Sequence, residues 1–391
     1  MQTPNLPKNV KLILNKLIKS GYEANIVGGG VRDFLLSRPV SDYDITTSAT
    51  PDEVKAVFSD RRVVDTGIKH GTVTLVISDV GYEITTYRVD GDYLDNRHPS
   101  DVSFTRDLFS DTARRDFTMN AICYNPHNGF SDFHGGMSDI EKGIIRTVGD
   151  PVRRFSEDAL RILRAVRFSS QLGFEIEGET ERAVFSLSHL LKNISPERVL
   201  TEFKKTVSGE FAYPALKRYG EVFRTVIPEL KPERLPPSQR FFNAMPLSRL
   251  ISLFDSEEEL LSALKRLHAD NKTVKSATTV ISSLSRKTDT DKTLLFTLSR
   301  LGKEDTELLV DTKILLGLSE PFEKELFELI IKQKRPYKIS DLKINGEDVL
   351  ALGIFGERIG KTLSDLLDTV IFGGVENERD ALLDFTVKNL K

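Results

Sequence analysis

Two patterns of apolar residues divide the chain near residue 150. Before that point, short runs rich in β-branched and aromatic residues alternate with turns that carry glycine or aspartate, most clearly at 72–77 and 82–87. Runs of this kind are typical of β-strands. The N-terminal part is therefore predicted to contain several strands together with one or two helices.

After Asp150 and Pro151, apolar residues recur every three or four positions. This spacing places them on one face of a helix, and it predicts helices over 156–172, 179–191 and 196–208. The predicted fold class is α+β, with strands and helices in an N-terminal head and an all-helical remainder.

Three parts are predicted along the chain. They are a head over 1–145, a helical neck over 146–230, and a helical body and tail over 231–391. Proline-bearing segments at 228–237 and 332–340 are weak linker candidates. With 391 residues, 39% of them hydrophobic, the chain is long enough for several domains with sizeable cores.

The composition indicates the cellular compartment in which the protein works. The single cysteine, Cys123, excludes an internal disulfide and a thiolate zinc cluster. The N-terminal segment lacks the apolar stretch of a signal peptide, and no segment approaches the roughly 18 apolar residues of a membrane span. We therefore expect a cytoplasmic protein with no membrane association. The sequence leaves open whether the protein forms a homodimer.

The formal net charge is −3, which does not favour a broad basic surface for nucleic acid. Contacts with phosphate must then be local. Arginine and lysine cluster at 146–167, 192–205 and 265–275. Each cluster is either a site of RNA contact or a solvated helix face.

The segment from Val27 to Thr46 joins a Gly-Gly-Gly turn, a predicted helix over 31–36 and an Asp-Tyr-Asp sequence. Glycines let backbone amides approach a triphosphate, and a helix N-terminus favours an anion. Side chains two apart on a strand share a face, so Asp42 and Asp44 are predicted to bind metal together. Carboxylate oxygens suit Mg²⁺ ions that bridge a nucleoside triphosphate. This order of elements predicts nucleotidyl transfer.

The glycine turn and Asp-x-Asp at this spacing resemble the polymerase-β-like nucleotidyltransferases. The sequence motif Gly-Gly-Gly-Val-Arg-Asp, followed by Asp-Tyr-Asp-Ile, is similar to the motifs of class II tRNA nucleotidyltransferases and bacterial poly(A) polymerases. The resemblance implies a polymerase-β-like head with a mixed sheet, and nucleotide binding by Gly29 and Arg32. An ion pair between Arg32 and Asp33 is the alternative for that arginine. The family usually has Leu-Leu-Gly where this chain ends the helix with Ser37, a change compatible with a turn.

A second signature, Arg-Arg-Asp-Phe-Thr-Met-Asn-Ala at 114–121, is also similar to this family. The resemblance implies that Arg115 contacts the nucleotide and that Asp116 organises its neighbours rather than binding metal. Asn120 can hydrogen-bond a ribose or an adjacent loop. Glu83 is either a third metal-binding carboxylate or an exposed strand residue, and the sequence leaves both open.

Asp158 and Arg161 are three apart on the predicted helix over 156–172 and would be neighbours there. A carboxylate accepts from the exocyclic amino group of cytosine or adenine, and a guanidinium donates to the adjacent ring nitrogen. Guanine and uracil present the hydrogen-bond donor and acceptor in the opposite order at these two positions. This pair is therefore predicted to select C and A, with a surface ion pair as the alternative. Arg164 and Arg167 follow Arg161 at the same three-residue spacing, and they are predicted to reach phosphates or the RNA end.

The family usually has Glu-Asp-Pro-Leu-Arg around this pair, whereas this chain has Ala159 in place of proline. Because proline at that point only helps to start a helix, the chemistry is expected to survive. The segment 88–99 is similar to the flexible loop of CCA-adding members, which takes part in the switch from cytidine to adenosine. Its intact length favours the complete reaction.

The resemblance spans essentially the whole chain and implies a class II CCA-adding enzyme. It further implies CTP and ATP as substrates, tRNA as the partner bound by the helical body and tail, and Mg²⁺ as the cofactor. The rivals are a bacterial poly(A) polymerase, an enzyme that adds only CC or only A, and a noncatalytic RNA-binding protein. Poly(A) polymerases typically carry a Gly-Arg-Arg-Phe-type segment at the position of residues 65–73. In this chain the sequence of that segment is similar to the one in the CCA-adding members.

Overall fold

The computed structural model describes residues 4–40, 42–91 and 102–389. The chain separates into two compact units, Met1–Pro228 and Glu229–Lys391. Within the described ranges, no helix is both long enough and apolar enough to cross a membrane.

The strands of the first unit belong mainly to one seven-stranded sheet. In chain order the strands are β1 Ala24–Val27, β2 Asp44–Thr47, β3 Arg62–Gly67, β4 Thr72–Ile77, β5 Val80–Thr86, β6 Arg88–Asp90, β7 Val102–Phe104, β8 Cys123–Asn125, β9 Gly129–Ser131, β10 Ile144–Ile145 and β11 Glu175–Ile176. The order across the large sheet is β3-β4-β5-β2-β1-β8-β9. The β2 and β5 strands pair in parallel, with Ile45 opposite Ile84, while the other neighbours are antiparallel.

Helices cover this sheet and continue the first unit. They are α1 Lys8–Lys19, α2 Gly29–Leu35, α3 Pro51–Val57, α4 Leu108–Ala113, α5 Gly136–Lys142, α6 Pro151–Glu157, α7 Leu160–Leu172, α8 Gly178–Ser186, α9 Pro196–Val207 and α10 Ala212–Arg224. Helix α1 buries Val10, Ile13, Leu14 and Leu17, the spacing of one helical face. Helix α7 is buried on most sides because α9 and α10 pack against it.

The second unit is helical in its described part. Its helices are α11 Ser238–Asn243, α12 Pro246–Ile251, α13 Glu257–Arg266, α14 Asn271–Ser282, α15 Asp291–Leu316, α16 Phe322–Lys332, α17 Gly346–Ala351, α18 Glu357–Phe372 and α19 Arg379–Asn389. Helix α15 is interrupted at Gly302, whose φ of 78° and ψ of 176° are not helical. A core that includes Leu298, Phe327 and Leu366 joins α15, α16 and α18.

The predicted α+β class is confirmed by the mixed sheet of the head and the mostly helical remainder. The predicted strand over 72–77 coincides with β4, and the predicted helix over 196–208 ends one residue early. The predicted helix over 179–191 is shorter, because α8 ends at Ser186 and a 3-10 turn follows. The two-residue strand β11 interrupts the helices after residue 150, and it pairs in parallel with β10.

Candidate active site

The three consecutive glycines connect β1 to α2. Gly28 has a φ of 78° and a ψ of −138°, a conformation that residues with a Cβ rarely adopt. Gly30 must lack a side chain for a different reason, because a Cβ there would lie 2.7 Å from the backbone oxygen of Asp42. The glycines thus let α2 pack directly against the segment that carries the aspartates.

The prediction that both aspartates lie within a strand is wrong for Asp42. Strand β2 begins at Asp44, which stands opposite Val27 in the ladder. Because β1 turns away at Gly28, Asp42 has no β1 residue opposite it and precedes the strand. Both side chains are nevertheless exposed and line the same cavity.

This cavity has a volume of about 790 Å³. Its walls combine the glycine turn, the aspartates, the first four residues of β5, and basic residues of the helical neck. The lining residues are Pro7, Gly29, Gly30, Arg32, Asp33, Asp42, Tyr43, Asp44, Val80, Gly81, Tyr82, Glu83, Arg167 and Lys205. A second cavity of about 230 Å³ shares Asp44 and Glu83 with it and is also lined by Arg115. We call the larger one the nucleotide cavity.

The ionised form of Asp44 is disfavoured in this environment. The surrounding protein atoms raise the pKa of Asp44, and the negative charge of Asp42 adds to this effect, whereas Arg115 opposes it. A cation placed between the two aspartates would relieve both the poor solvation and the repulsion. The electrostatics of the pair therefore favour a bound cation.

The donor set fits a magnesium ion that arrives with a nucleotide. Mg²⁺ is commonly held by one or two carboxylates while water and substrate phosphates supply its other ligands. The described residues contain no group of three or more histidines, cysteines or carboxylates arranged to hold a metal. Glu83 lines both cavities but does not complete a three-carboxylate site there. Asp42 and Asp44 are the residues that could hold the ion.

Arg115 is brought close to Asp44 by the buried carboxylate of Asp111. Asp111 has no exposed surface, and it accepts hydrogen bonds from Arg114 Nε at 3.0 Å and Thr46 Oγ1 at 3.1 Å. Arg115 Nη2 lies 3.6 Å from the same carboxylate. Burial alone would raise the pKa of Asp111, but Arg114 and Arg115 hold that pKa below its ordinary value. Asp111 therefore stays ionised and fixes the arginine pair.

Arg32 is held by two neighbours on the wall of the nucleotide cavity. Its Nε and Nη2 donate to Asp33 Oδ1 at 3.0 and 2.8 Å, and its Nη1 donates to Asn120 Oδ1 at 2.9 Å. Asn120 in turn donates to Asp116 at 3.1 Å. Arg32 therefore forms the ion pair with Asp33 that was the alternative to nucleotide binding, and it also lines the cavity.

Asp116 connects this network to α7. Its Oδ2 accepts from Arg164 Nε at 2.8 Å, and its Oδ1 accepts the backbone N–H of Phe117 at 2.8 Å. Burial would raise the pKa of Asp116, but Arg164 and Asn120 outweigh that effect and lower the pKa to about 2. This geometry is that of an organising residue.

The prediction of a single helix over 156–172 is wrong, because α6 ends at Glu157 and α7 begins at Leu160. Asp158 lies between them with an extended backbone, at φ −138° and ψ 102°. Its carboxylate accepts the backbone N–H of Leu160 at 3.1 Å. A short acidic side chain that bonds the backbone two residues ahead favours a helix boundary over a helix interior.

Asp158 and Arg161 are neighbours through a hydrogen bond from the Arg161 backbone N–H to the Asp158 backbone oxygen at 3.0 Å, but their side chains form no ion pair with each other among the described residues. Arg198 Nη2, from α9, donates to the Asp158 carboxylate at 3.1 Å. Arg161 is buried and donates from Nη1 to Glu157 at 3.0 Å and from Nη2 to the backbone oxygen of Arg114 at 3.1 Å. In the described chain each of the two side chains is held by a different partner.

The remaining predicted arginines lie along α7. Arg164 is half-buried against Asp116, and Arg167 is buried with its Nε 3.1 Å from Glu202 Oε2. Of these two, only Arg167 lines the nucleotide cavity, where the exposed Lys205 of α9 joins it.

Comparison with known proteins places this geometry in a family. The Poly A polymerase head domain model matches residues 24–146, a probable RNA and SrmB binding site of polymerase A matches 173–233, and a putative tRNA nucleotidyltransferase domain 2 matches 247–386. The CCA-adding enzyme of Anoxybacillus flavithermus is 36% identical over 97% of this chain and 96% of its own. The chain belongs to the CCA-adding enzyme family.

Other members of the CCA-adding enzyme family agree over nearly their whole length. The Staphylococcus epidermidis enzyme is 35% identical over 98% of both chains. The crystal structure of the Bacillus stearothermophilus CCA-adding enzyme in complex with CTP is similar with a TM-score of 0.79 and 30% identity, over 100% of this chain and 98% of that one. The family consists of nucleotidyltransferases that process tRNA and generally use a divalent metal.

A further CCA-adding enzyme, from Thermotoga maritima and complexed with tRNA, shares the fold. Its TM-score is 0.69 at 22% identity, over 99% of this chain and 97% of that one.

Most predicted site residues of this family member meet at the two cavities. Gly29, Arg32, Asp42, Asp44 and Arg167 line the larger cavity, and Arg115 lines the smaller. The other three, Asp158, Arg161 and Arg164, line neither of these two cavities. Arg164 is connected to Arg32 through Asp116 and Asn120.

Four acidic or basic partners were missed from the sequence. Glu157 stands four residues before Arg161, a spacing that could have been found. Asp111 likewise stands three and four residues before its partners Arg114 and Arg115. Arg198 and Glu202 act across tertiary contacts, and no local pattern indicates their partners. The predicted loop over 88–99 lies mostly outside the described residues, which include only its first four positions.

Proposed function

We propose that this protein builds the CCA 3′ end of tRNA from CTP and ATP, using Mg²⁺ and no nucleic-acid template. The observation that carries the proposal is the meeting of the glycine turn, two aspartates and fixed arginines at one cavity. Its identity of 36% with a CCA-adding enzyme over 97% of the chain supports the same activity.

Asp42 and Asp44 are the proposed metal-binding and catalytic residues. When bound, Mg²⁺ supplies a lower pKa for the attacking RNA 3′ hydroxyl and charge neutralisation for the departing pyrophosphate. Asp42 and Asp44 would hold the ion beside the reacting groups. The reaction requires no side-chain nucleophile. Because the pKa of Asp44 is raised, protons compete with the metal at that carboxylate as the pH falls.

The nucleotide is proposed to contact Gly29, Arg32 and Arg115. Arg32 is oriented by Asp33 and Asn120, so its guanidinium is fixed before the nucleotide arrives. Arg115 Nε is buried and has no hydrogen-bond partner among the described residues. A phosphate oxygen is a suitable acceptor for such a guanidinium.

Asp158 and Arg161 are proposed to select the base. The Asp158 carboxylate accepts from the amino group of C or A, and the Arg161 guanidinium donates to N3 of cytosine or N1 of adenine. Their separate partners support this role, because Arg198 and Glu157 fix the two groups independently of each other. Arg164 and Arg167 are proposed to provide positive charge toward the phosphates.

The tRNA is proposed to be bound mainly by the body and tail, through shape and backbone. We keep the proposed division into a head over 1–145, a neck over 146–230 and a body and tail over 231–391. The first two parts together correspond roughly to the first compact unit. We place this activity in the cytoplasm.

The test uses a tRNA that ends before its CCA, incubated with the purified full chain, Mg²⁺ and each of CTP, ATP, UTP and GTP, singly and together. Sequencing of the 3′ ends should show extension that stops at CCA. Extension by CC alone, by one A after supplied CC, or by a long A tail would refute the proposal in favour of a different polymerase. No addition would indicate a noncatalytic RNA-binding protein.

A further inference from the structure

The ring of Phe168 is surrounded by arginines. The guanidinium carbons of Arg167, Arg32 and Arg164 lie over it at 4.2, 5.0 and 5.4 Å from the ring centroid. Phe168 is 4% exposed, and its ring packs edge-to-face on Phe117 at 5.7 Å. One buried ring is therefore shared by an arginine of the head helix α2 and two arginines of α7.

Three like charges at one point repel one another, and the carboxylates around them do not compensate them equally. Asp33 accepts hydrogen bonds from Arg32, and Asp116 accepts them from Arg164. Arg167 Nε lies 3.1 Å from Glu202 Oε2, yet both atoms are buried without a hydrogen-bond partner among the described residues. Burial, with repulsion from Arg164, lowers the pKa of Arg167 to about 10. Arg167 is thus the least compensated of the three, and it is the closest to the ring.

The face of an aromatic ring carries negative electrostatic potential, and its attraction for a cation is stronger where water is excluded. A ring that is 4% exposed meets this condition. Two of the three cations, Arg32 and Arg167, line the nucleotide cavity, whereas Phe168 is not among its lining residues. The ring can therefore act on a ligand in that cavity only through the arginines.

We propose that Phe168 is a positioning residue whose π face holds Arg32 and Arg167 on the cavity wall where they receive the triphosphate. The inference rests on the proposed function, since it names a determinant of nucleotide binding at the same site. It follows that nucleotide affinity depends on the electron density of this ring. The turnover step depends on the aspartates instead and should not respond to the ring.

The test replaces Phe168 in the full-length protein with mono-, di- and trifluorophenylalanine. Fluorination withdraws electron density from the ring face while nearly preserving its shape. We expect KM and the dissociation constant for CTP with Mg²⁺ to rise stepwise, by on the order of tenfold across the series. We expect kcat to stay within about twofold, because the metal-binding groups are unchanged.

The matched control is the same series at Phe155. Phe155 is fully buried in α6, and no lysine or arginine lies over its ring in the described structure. Its fluorination should leave KM and CTP binding unchanged. Thermal unfolding of each variant measures the structural contribution of the ring.

A flat KM and affinity series at Phe168 in an otherwise active enzyme would overturn the inference. So would an equal response at Phe155, or a loss of affinity that follows a falling unfolding temperature. These outcomes differ from failure of the proposed function, in which the unsubstituted protein itself adds no nucleotide to tRNA.

Discussion

The aspartates of the nucleotide cavity and the arginines of α7 are held by the fold in opposite ways. Asp42 and Asp44 are exposed, and the pKa of Asp44 is raised because its surroundings disfavour the charge. Arg161 and Arg164 have carboxylate partners, Glu157 and Asp116, at hydrogen-bonding distance. The acidic pair is proposed to bind a cation from solution, whereas Arg161 and Arg164 have charge partners within the protein. Substitution of a charged residue should therefore affect mainly chemistry in the first region, whereas loss of a charge partner in the second region should lower stability.

The largest expected effect is on chemistry at the acidic pair. Asp44→Asn should lower nucleotide incorporation by about a thousandfold or more, because one of two proposed metal-binding carboxylates is lost. Asp42→Ala should likewise abolish incorporation. Single-turnover extension of tRNA measures the loss, and tRNA binding should be largely retained.

The control is Asp52→Asn, which changes a carboxylate whose side chain is 92% exposed. It should leave incorporation unchanged. Normal incorporation by the Asp42 or Asp44 variant would contradict the metal assignment.

The next effect is on stability in the arginine-rich region. Asp116→Asn removes the charge partner of the half-buried Arg164. A fall in the pKa of Asp116 from 3.8 to about 2 corresponds to about 2 kcal/mol of stabilisation, which the substitution should remove. Urea unfolding should show the lower free energy of unfolding. Glu179→Gln breaks an exposed pair with Arg182 at 3.7 Å and should change stability by less than about 1 kcal/mol. Equal effects of the two substitutions would contradict the stabilising role of the Asp116–Arg164 pair.

The stabilisation by Asp116 should depend on pH. Its pKa is about 2 in the folded protein and 3.8 ordinarily, so folding favours the ionised form. The stabilisation is complete above the ordinary pKa and is lost as the pH falls from about 4 toward 2. The difference in stability between the protein and its Asp116→Asn variant should therefore shrink in acid. A constant difference from pH 6 to 3 would argue against the charge as its cause.

A smaller effect is expected on base selection. Asp158→Ala or Arg161→Ala should reduce discrimination of C and A from U and G by roughly 10- to 100-fold, the range for loss of specific base contacts. Competition assays with mixed nucleotides measure the ratio. Arg153→Ala is the control, because Arg153 pairs with Glu157 as Arg161 does but is 75% exposed. Unaltered choice in the Asp158 and Arg161 variants would refute their role.

The smallest effect has the opposite sign to that of Asp116→Asn. A raised pKa means that the fold disfavours ionised Asp44, so stability is lost as the pH rises through that pKa. Asp44→Asn should therefore raise the unfolding temperature at neutral pH without metal, by on the order of 1 °C. Calorimetry in EDTA measures the change. A lower unfolding temperature would contradict the account of the acidic pair.

Local patterns predicted much of the fold. The alternation over 72–77 predicted β4, and the Pro196 start with its apolar spacing predicted α9 to within one residue. Both depend on interactions between residues close in the chain. The same reasoning failed at Asp158, where a periodic apolar pattern continues through a point at which the aspartate bonds the Leu160 amide.

Six of the nine predicted site residues line the two cavities, but the sequence did not predict most of the partners that hold them. Asp42, Asp44, Arg32 and Arg115 all carry motif signals and all reach a cavity wall. The partners Arg198 and Glu202 come from α9, about forty residues beyond Asp158 in the chain. Which carboxylate meets which guanidinium is decided by the packing of α9 on α7, and no spacing along the chain records that contact.

The break between α6 and α7 has a consequence for how such an enzyme can change during evolution. The direction of the Asp158 carboxylate is set by the backbone of a two-residue joint, and the second residue of that joint, Ala159, is fully buried. A larger side chain at position 159 would therefore disturb the hydrophobic core and redirect the carboxylate at the same time. Under the proposed role of Asp158, nucleotide preference and the stability of the helical scaffold are constrained by the same two adjacent residues.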